Sequence, residues 1–175
     1  MPSTTSQQEA TVAPEVTPVQ VYRVYIRTTP QQVWDAITSE EWGSRYGYGG
    51  SNHYDLRPGG AYTAETSEEM RAMGAPDLAI DGEVLECEPP QRLVLTWRML
   101  MDDAMKAEGF TRLSYDIQES VPGLVRLTVT HELENAPQLQ QLMSGQWEGN
   151  GAGGGWSWVL SDLKSVLETG EKLPR

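Results

Sequence analysis

Between Asn52 and His131 the chain reverses on three short segments marked by proline and glycine: Leu56-Arg57-Pro58-Gly59-Gly60, Glu88-Pro89-Pro90-Gln91-Arg92 and Glu119-Ser120-Val121-Pro122-Gly123. The stretches around them, residues 60–66, 78–87, 93–97, 111–117 and 124–131, read as strands. Side chains alternate along a strand, so Leu93, Leu95 and Trp97 share a face, as do Leu113, Tyr115 and Ile117, and Leu127, Val129 and His131. Neighbouring strands of a meander run in opposite directions, which puts every second connection at the same end. The three tight reversals therefore lie together. The longer connections, residues 42–51, 67–77 and 99–109, meet at the opposite end. The pattern predicts a curved antiparallel sheet sealed at one end and ringed at the other by Trp, Tyr and Met.

Outward from this meander, Tyr22, Val24 and Ile26 alternate with Arg23 and Arg27, a strand signature over residues 19–27. Thr29 followed by Pro30 is a helix start, with an N-cap hydroxyl and a proline at the first helical position. Val33, Trp34 and Ile37 continue it at helical spacing to about residue 39, and residues 40–42 read as a further helical turn. At the other side of the meander the period changes. Trp156, Val159, Leu160, Leu163, Val166 and Leu167 form one apolar stripe along a helix that ends at Thr169-Gly170. An antiparallel sheet with an apolar concave face needs a cover, and this helix supplies it. A shorter helical piece, residues 137–143, precedes it across a link with six glycines between Gly145 and Gly155, which reads as a flexible hinge and a candidate gate.

The chain has 175 residues, a length that suits one domain able to bury its own core. Residues 1–18 are rich in Ser, Thr, Gln and Pro, without a basic or apolar run, and read as a disordered tail before a single domain of residues 19–175. The single cysteine, Cys87, excludes an intrachain disulfide and points to a reducing, cytoplasmic setting. Twenty-five acidic against thirteen basic residues give a formal charge of −12, with no basic face for nucleic acid or anionic membrane. No apolar run is long enough for a membrane-spanning helix. The expected partner is a hydrophobic small molecule, and the expected state a monomer or homodimer.

Several local sequences together resemble the START-like (SRPBCC) superfamily, in the branch of the activator of the heat-shock-protein ATPase and the calicheamicin self-resistance protein. They are Thr29-Pro30-Gln31-Gln32-Val33-Trp34, Asp55-Leu56-Arg57-Pro58-Gly59-Gly60, Gly82-Glu83-Val84-Leu85-Glu86 running to Pro89-Pro90, Arg92-Leu93-Val94-Leu95-Thr96-Trp97, Arg126-Leu127-Thr128-Val129-Thr130-His131, and Gly155-Trp156 leading to Leu167-Glu168-Thr169-Gly170. The resemblance covers residues 20–172. It implies an α+β helix-grip (Bet v 1-like) fold, with seven curved antiparallel strands around a long C-terminal helix and two short helices between strands one and two. It also implies a cavity for apolar ligands and no fixed catalytic motif, so function has to be argued from the site.

The candidate ligand contacts are Trp42, Tyr46, Tyr48, Met70, Trp97, Met99, Met101, His131, Trp147 and Trp156, with Met73 and Met105 beside them. Six Trp and seven Tyr against one Phe is an unusual balance. Aromatic residues with a polar handle suit a pocket that is apolar but partly wet, and methionine adapts to varied apolar shapes. If the protein is an enzyme, His131, Asp81 or Glu65 is the candidate acid/base. Residues 149–154 formally match G-x-G-x-x-G but lack the preceding buried strand that a dinucleotide site needs. Two histidines and one cysteine at distant positions give no metal-ligand spacing, and no cofactor is expected. Three functions fit this reading: binding of an apolar, aromatic or polyketide-like compound; a cyclase, dehydratase or hydrolase on the same scaffold; and a chaperone co-regulator that binds a protein.

Overall fold

A computed structural model describes residues 18–151 and 153–174; the disordered tail expected at the N-terminus lies outside them, apart from Pro18. The strands are β1 (Val19–Ile26), β2 (Asn52–Tyr54), β3 (Ala61–Glu65), β4 (Leu78–Glu88), β5 (Arg92–Met99), β6 (Thr111–Val121) and β7 (Leu124–Glu132). The helices are α1 (Pro30–Thr38), α2 (Glu68–Ala72), α3 (Asp103–Ala107), α4 (Pro137–Met143) and α5 (Gly155–Thr169), with single 3-10 turns at Glu40–Trp42 and Glu148–Asn150. The seven strands form one antiparallel sheet in the order β1-β7-β6-β5-β4-β3-β2. Pairing of β1 with β7 leaves β1 and β2 as the edges, and α1 with its 3-10 turn carries the chain from one edge to the other.

Local chemistry explains the elements. The Thr29 hydroxyl accepts the Gln32 amide at 3.3 Å and Pro30 opens the helix, so α1 starts where a capped first turn is favoured. It buries Val33, Trp34, Ala36 and Ile37. Register shifts between Ala64 and Glu65, Val84 and Glu86, and Glu119 and Val121 bend the strands and deepen the curvature, as bulges do. Across the concave face lies α5, burying Trp156, Leu160, Leu163 and Val166 against a wall that includes Leu93, Leu95, Leu113 and Leu127. Each such side chain contributes about 1.5–3 kcal/mol on burial, so the grip of sheet on helix is a large contribution to stability.

Two expectations change in detail. The methionine-rich connections contain helical turns, α2 and α3, which residues 67–77 and 99–109 did not reveal as sequence because each is only five residues long. Ser67 and Asp102 cap them, accepting the amides of Met70 at 3.2 Å and Met105 at 2.8 Å. The glycine-rich link is closely packed at its two ends. Gly155 has φ +63°, and a Cβ there would lie 2.2 Å from the Met143 carbonyl oxygen. At Gly145, with φ +79°, it would lie 2.7 Å from that of Gly154. Glycine is required at both positions by close packing of α4 against the start of α5.

Candidate functional site

The three long connections meet over the concave face, as the meander predicts, and enclose a cavity of about 670 Å³ between the sheet and α5. Met70, Met73, Met99, Met101 and Met105 line its mouth, Tyr46 and Tyr48 come from the connection before β2, and Trp97 forms part of the wall. From α5, Trp156, Val159, Leu160 and Leu163 close the opposite side. No lysine, arginine or histidine is among the lining residues; the charged ones are Glu65 and Glu69.

The interior holds a cluster of phenols that the sequence reading did not single out. Tyr54 from β2, Tyr62 from β3 and Tyr115 from β6 join Tyr46 in the cavity wall. The rings of Tyr54 and Tyr62 stack with centroids 4.5 Å apart. Burial pushes the Tyr62 phenol up to about 12, an effect partly offset by its neighbours Tyr54 and Trp97. Burial raises Tyr46, Tyr54 and Tyr115 further, with the neighbouring phenols adding to it. All four are therefore neutral donors at physiological pH. The signal in the sequence was the excess of Tyr over Phe; what it lacked was the packing that brings β2, β3 and β6 to one place.

His131 is fully buried on β7, at the inner-face position the alternation indicates, and both ring nitrogens have partners. The Thr111 hydroxyl donates to the Trp97 carbonyl oxygen at 2.8 Å, so it accepts from His131 Nε2–H, also at 2.8 Å. Nδ1 then accepts the Trp156 indole N–H at 3.1 Å. This chain of bonds sets the tautomer and keeps the ring neutral; burial pulls its pKa down to about 3. The ring packs edge-on against Trp97, 5.1 Å between centroids, and braces the wall without lining the cavity.

The remaining candidates divide. Asp81 follows the cavity-lining Ile80 and so points to the outer face of the sheet, where Arg98 holds its carboxylate at 2.9 and 2.6 Å. Glu65 lines the mouth and lies 3.1 Å from His53 Nε2. Trp42 packs half-buried under the Arg45 guanidinium at 4.8 Å, and the Trp147 indole donates to Gln141 Oε1 at 2.8 Å; neither lines the cavity. Missed entirely was Asp162, fully buried on α5. Its carboxylate accepts the amides of Gly47 at 2.9 Å and Leu173 at 2.7 Å, tying the loop that carries Tyr46 and Tyr48 to the gripping helix. Among the described residues no group of three or more His, Cys, Asp or Glu could hold a metal ion, and no helix is long and apolar enough to cross a membrane.

A seven-stranded sheet curved around a C-terminal helix, with a cavity between them, defines a helix-grip protein of the START-like (SRPBCC) class. Residues 27–168 match the family described as Activator of Hsp90 ATPase homolog 1-like protein, and the chain belongs to that family. Among solved structures it is similar to SSP2350 from Staphylococcus saprophyticus (21% identity, 89% of this chain and 96% of that chain, TM-score 0.63). It is also similar to PFC0360w, an HSP90 activator from Plasmodium falciparum (19% identity, 85% and 86%, TM-score 0.51). DynU16, a protein of the dynemicin biosynthetic locus, shares the fold as well (19% identity, 88% of this chain and 48% of that chain, TM-score 0.57). Comparison with curated proteins found no significant match.

Proposed function

We propose that this protein binds a largely apolar small molecule, aromatic or polyketide-like, between the sheet and α5, for sequestration, transport or self-resistance in the cytoplasm. The observation that carries this reading is the cavity itself. Its volume of about 670 Å³ falls within the roughly 300–1,000 Å³ of small-molecule sites. Methionine and aromatic side chains line it, with the phenols as its main interior polar groups. The biosynthetic-locus origin of DynU16 is consistent with a role beside the assembly of such compounds. The ligand contacts in this reading are Tyr46, Tyr48, Met70, Trp97, Met99, Met101 and Trp156, joined by Tyr54, Tyr62 and Tyr115.

The experiment is native mass spectrometry of the protein as purified, paired with its denatured intact mass. An excess that disappears on denaturation supports noncovalent ligand binding, and one that survives points to a covalent adduct. A bare mass in both, with no uptake of an added apolar dye, would sink the reading.

A second reading follows from family membership, since the family description and PFC0360w both name Hsp90 activation. In that reading the protein is a chaperone co-regulator and its partner is a protein. Stimulation of an Hsp90 ATPase by the purified chain, undiminished when the cavity is filled by mutation, would favour it over ligand binding. An enzymatic role on the same scaffold rests on Glu65, the one acid/base candidate of the three that faces the cavity.

A further inference from the structure

Every aromatic ring that lines the cavity belongs to tyrosine or tryptophan; the one phenylalanine of the chain, Phe110, lies outside it. Tyr46 comes from the loop before β2, Tyr54, Tyr62, Trp97 and Tyr115 from the sheet, and Trp156 from α5. Their planes differ. Tyr54 and Tyr62 stack at an inclination of 20°, whereas Tyr115 and Trp156 meet at 82° with centroids 6.1 Å apart. The space between sheet and helix is thus bordered by ring faces in nearly perpendicular orientations. The face of an aromatic ring is its negative side and attracts a cation, that of tryptophan most strongly. Charge on the wall has the same sign. Among the described residues the lining contains no Lys, Arg or His, and its two charged members are Glu65 and Glu69. Glu65 shares its carboxylate with His53 at 3.1 Å and Arg71 at 4.0 Å. Glu69, exposed in the first turn of α2, has no ion pair among the described residues. The formal charge of −12 on the whole chain further concentrates cations around it.

Resting on the ligand-binding reading above, we infer that the cavity takes an organic cation, a protonated or quaternary nitrogen carried on an apolar, aromatic body. The methionines and aliphatic side chains enclose the body, the Tyr and Trp rings receive the charge, and Glu69 stands at the entrance. A cation spread over a large apolar body is weakly hydrated, so the rings can offset what it loses on leaving water. A neutral ligand of the same shape keeps the apolar contacts and gains nothing from the ring faces. A carboxylate would enter a site with no counter-charge and two carboxylates in its wall, a desolvation that nothing there offsets.

Equilibrium dialysis of the full-length protein against 10-methylacridinium, 9-methylanthracene and anthracene-9-carboxylate tests this, because the three share one tricyclic outline and differ in charge. The cation should bind about tenfold more tightly than the hydrocarbon, the scale of a desolvated cation–ring contact, and the carboxylate more weakly than either. In about 1 M salt, where the screening length is about 3 Å, the preference for the cation should persist. Its disappearance there would mean that the net charge of the chain attracts the cation from a distance, and would overturn the inference. So would equal or tighter binding of the hydrocarbon in the native protein, which leaves an apolar cavity without charge selectivity. Binding of none of the three would instead overturn the ligand-binding reading, and this inference with it. Tyr115→Leu removes one ring and keeps the site apolar. It should weaken methylacridinium about threefold and leave methylanthracene unchanged, and an equal loss for both counts against the inference. If that variant fails to fold, Tyr46→Leu, at a half-buried position in the loop before β2, takes its place with the same expected outcome.

Discussion

The indole nitrogen of Trp156 stands 3.1 Å from Nδ1 of His131, joining the first turn of α5 to the last strand of the sheet through two buried rings. The hydroxyl of Thr111 holds the other side of the imidazole at 2.8 Å and donates its own hydrogen bond to the Trp97 carbonyl oxygen. The helix is thereby held at a defined height over the cavity floor. Thr111→Val keeps the shape and removes the hydroxyl, leaving the buried His131 Nε2–H and the Trp97 carbonyl without that partner. It should destabilise the protein by about 1–3 kcal/mol, seen as a lower urea midpoint with an unchanged slope.

The same histidine makes stability depend on pH. Its pKa falls from 6.5 to about 3 on folding because burial disfavours the charged ring. Between these values the unfolded chain binds the proton and the folded one does not, so the group costs nothing above pH 6.5 and stability declines as pH falls toward 3. The limiting slope is about 1.4 kcal/mol per pH unit. His131→Gln removes the titration. Unfolding free energies measured from pH 7 to pH 4.5 should fall less steeply for the variant than for the native protein, and parallel curves would contradict the assignment.

Asp162 holds the cavity mouth from behind. Its two carboxylate oxygens accept the Gly47 and Leu173 amides, and asparagine can accept only one of them while turning an N–H₂ toward the other. Asp162→Asn should cost about 1–3 kcal/mol and release the loop between the 3-10 turn and β2. Amide exchange at Gly47 should accelerate while exchange in β5 and β6 follows only the global loss.

How much of this was legible in the sequence depends on how local the cause is. The Thr29 cap, the α5 stripe and the alternation through Leu93, Leu95 and Trp97 are near-neighbour effects, and each has its place in the structure. Even the placing of Asp81 was available: it alternates with Ile80 and shares a face with the charged Glu83, two residues along the same strand. The phenol cluster was not legible, because Tyr54 lies in a three-residue strand, meets Tyr62 through the β2–β3 register, and comes near Tyr115 only once the sheet curls. Nor was the role of His131, whose partners come from 20 and 25 residues away. Asp162 was not read at all, because its partners, the Gly47 and Leu173 amides, come from outside the helix that carries it.

Filling the cavity separates its role in binding from its role in stability. Val159 is half-buried on α5 and lines the cavity opposite the sheet. A phenylalanine there extends into empty space, so it adds apolar contact without displacing a packed neighbour. Cavity-filling changes of this kind commonly raise stability, whereas overpacking of a filled core lowers it. Val159→Phe should therefore leave the thermal midpoint unchanged or higher and reduce the binding of Nile red, a neutral apolar dye, by about tenfold, equivalent to about 1.4 kcal/mol. A lower midpoint with intact dye binding would mean that the space beside Val159 is already occupied by the fold, and that ligand enters elsewhere along the methionine-lined mouth.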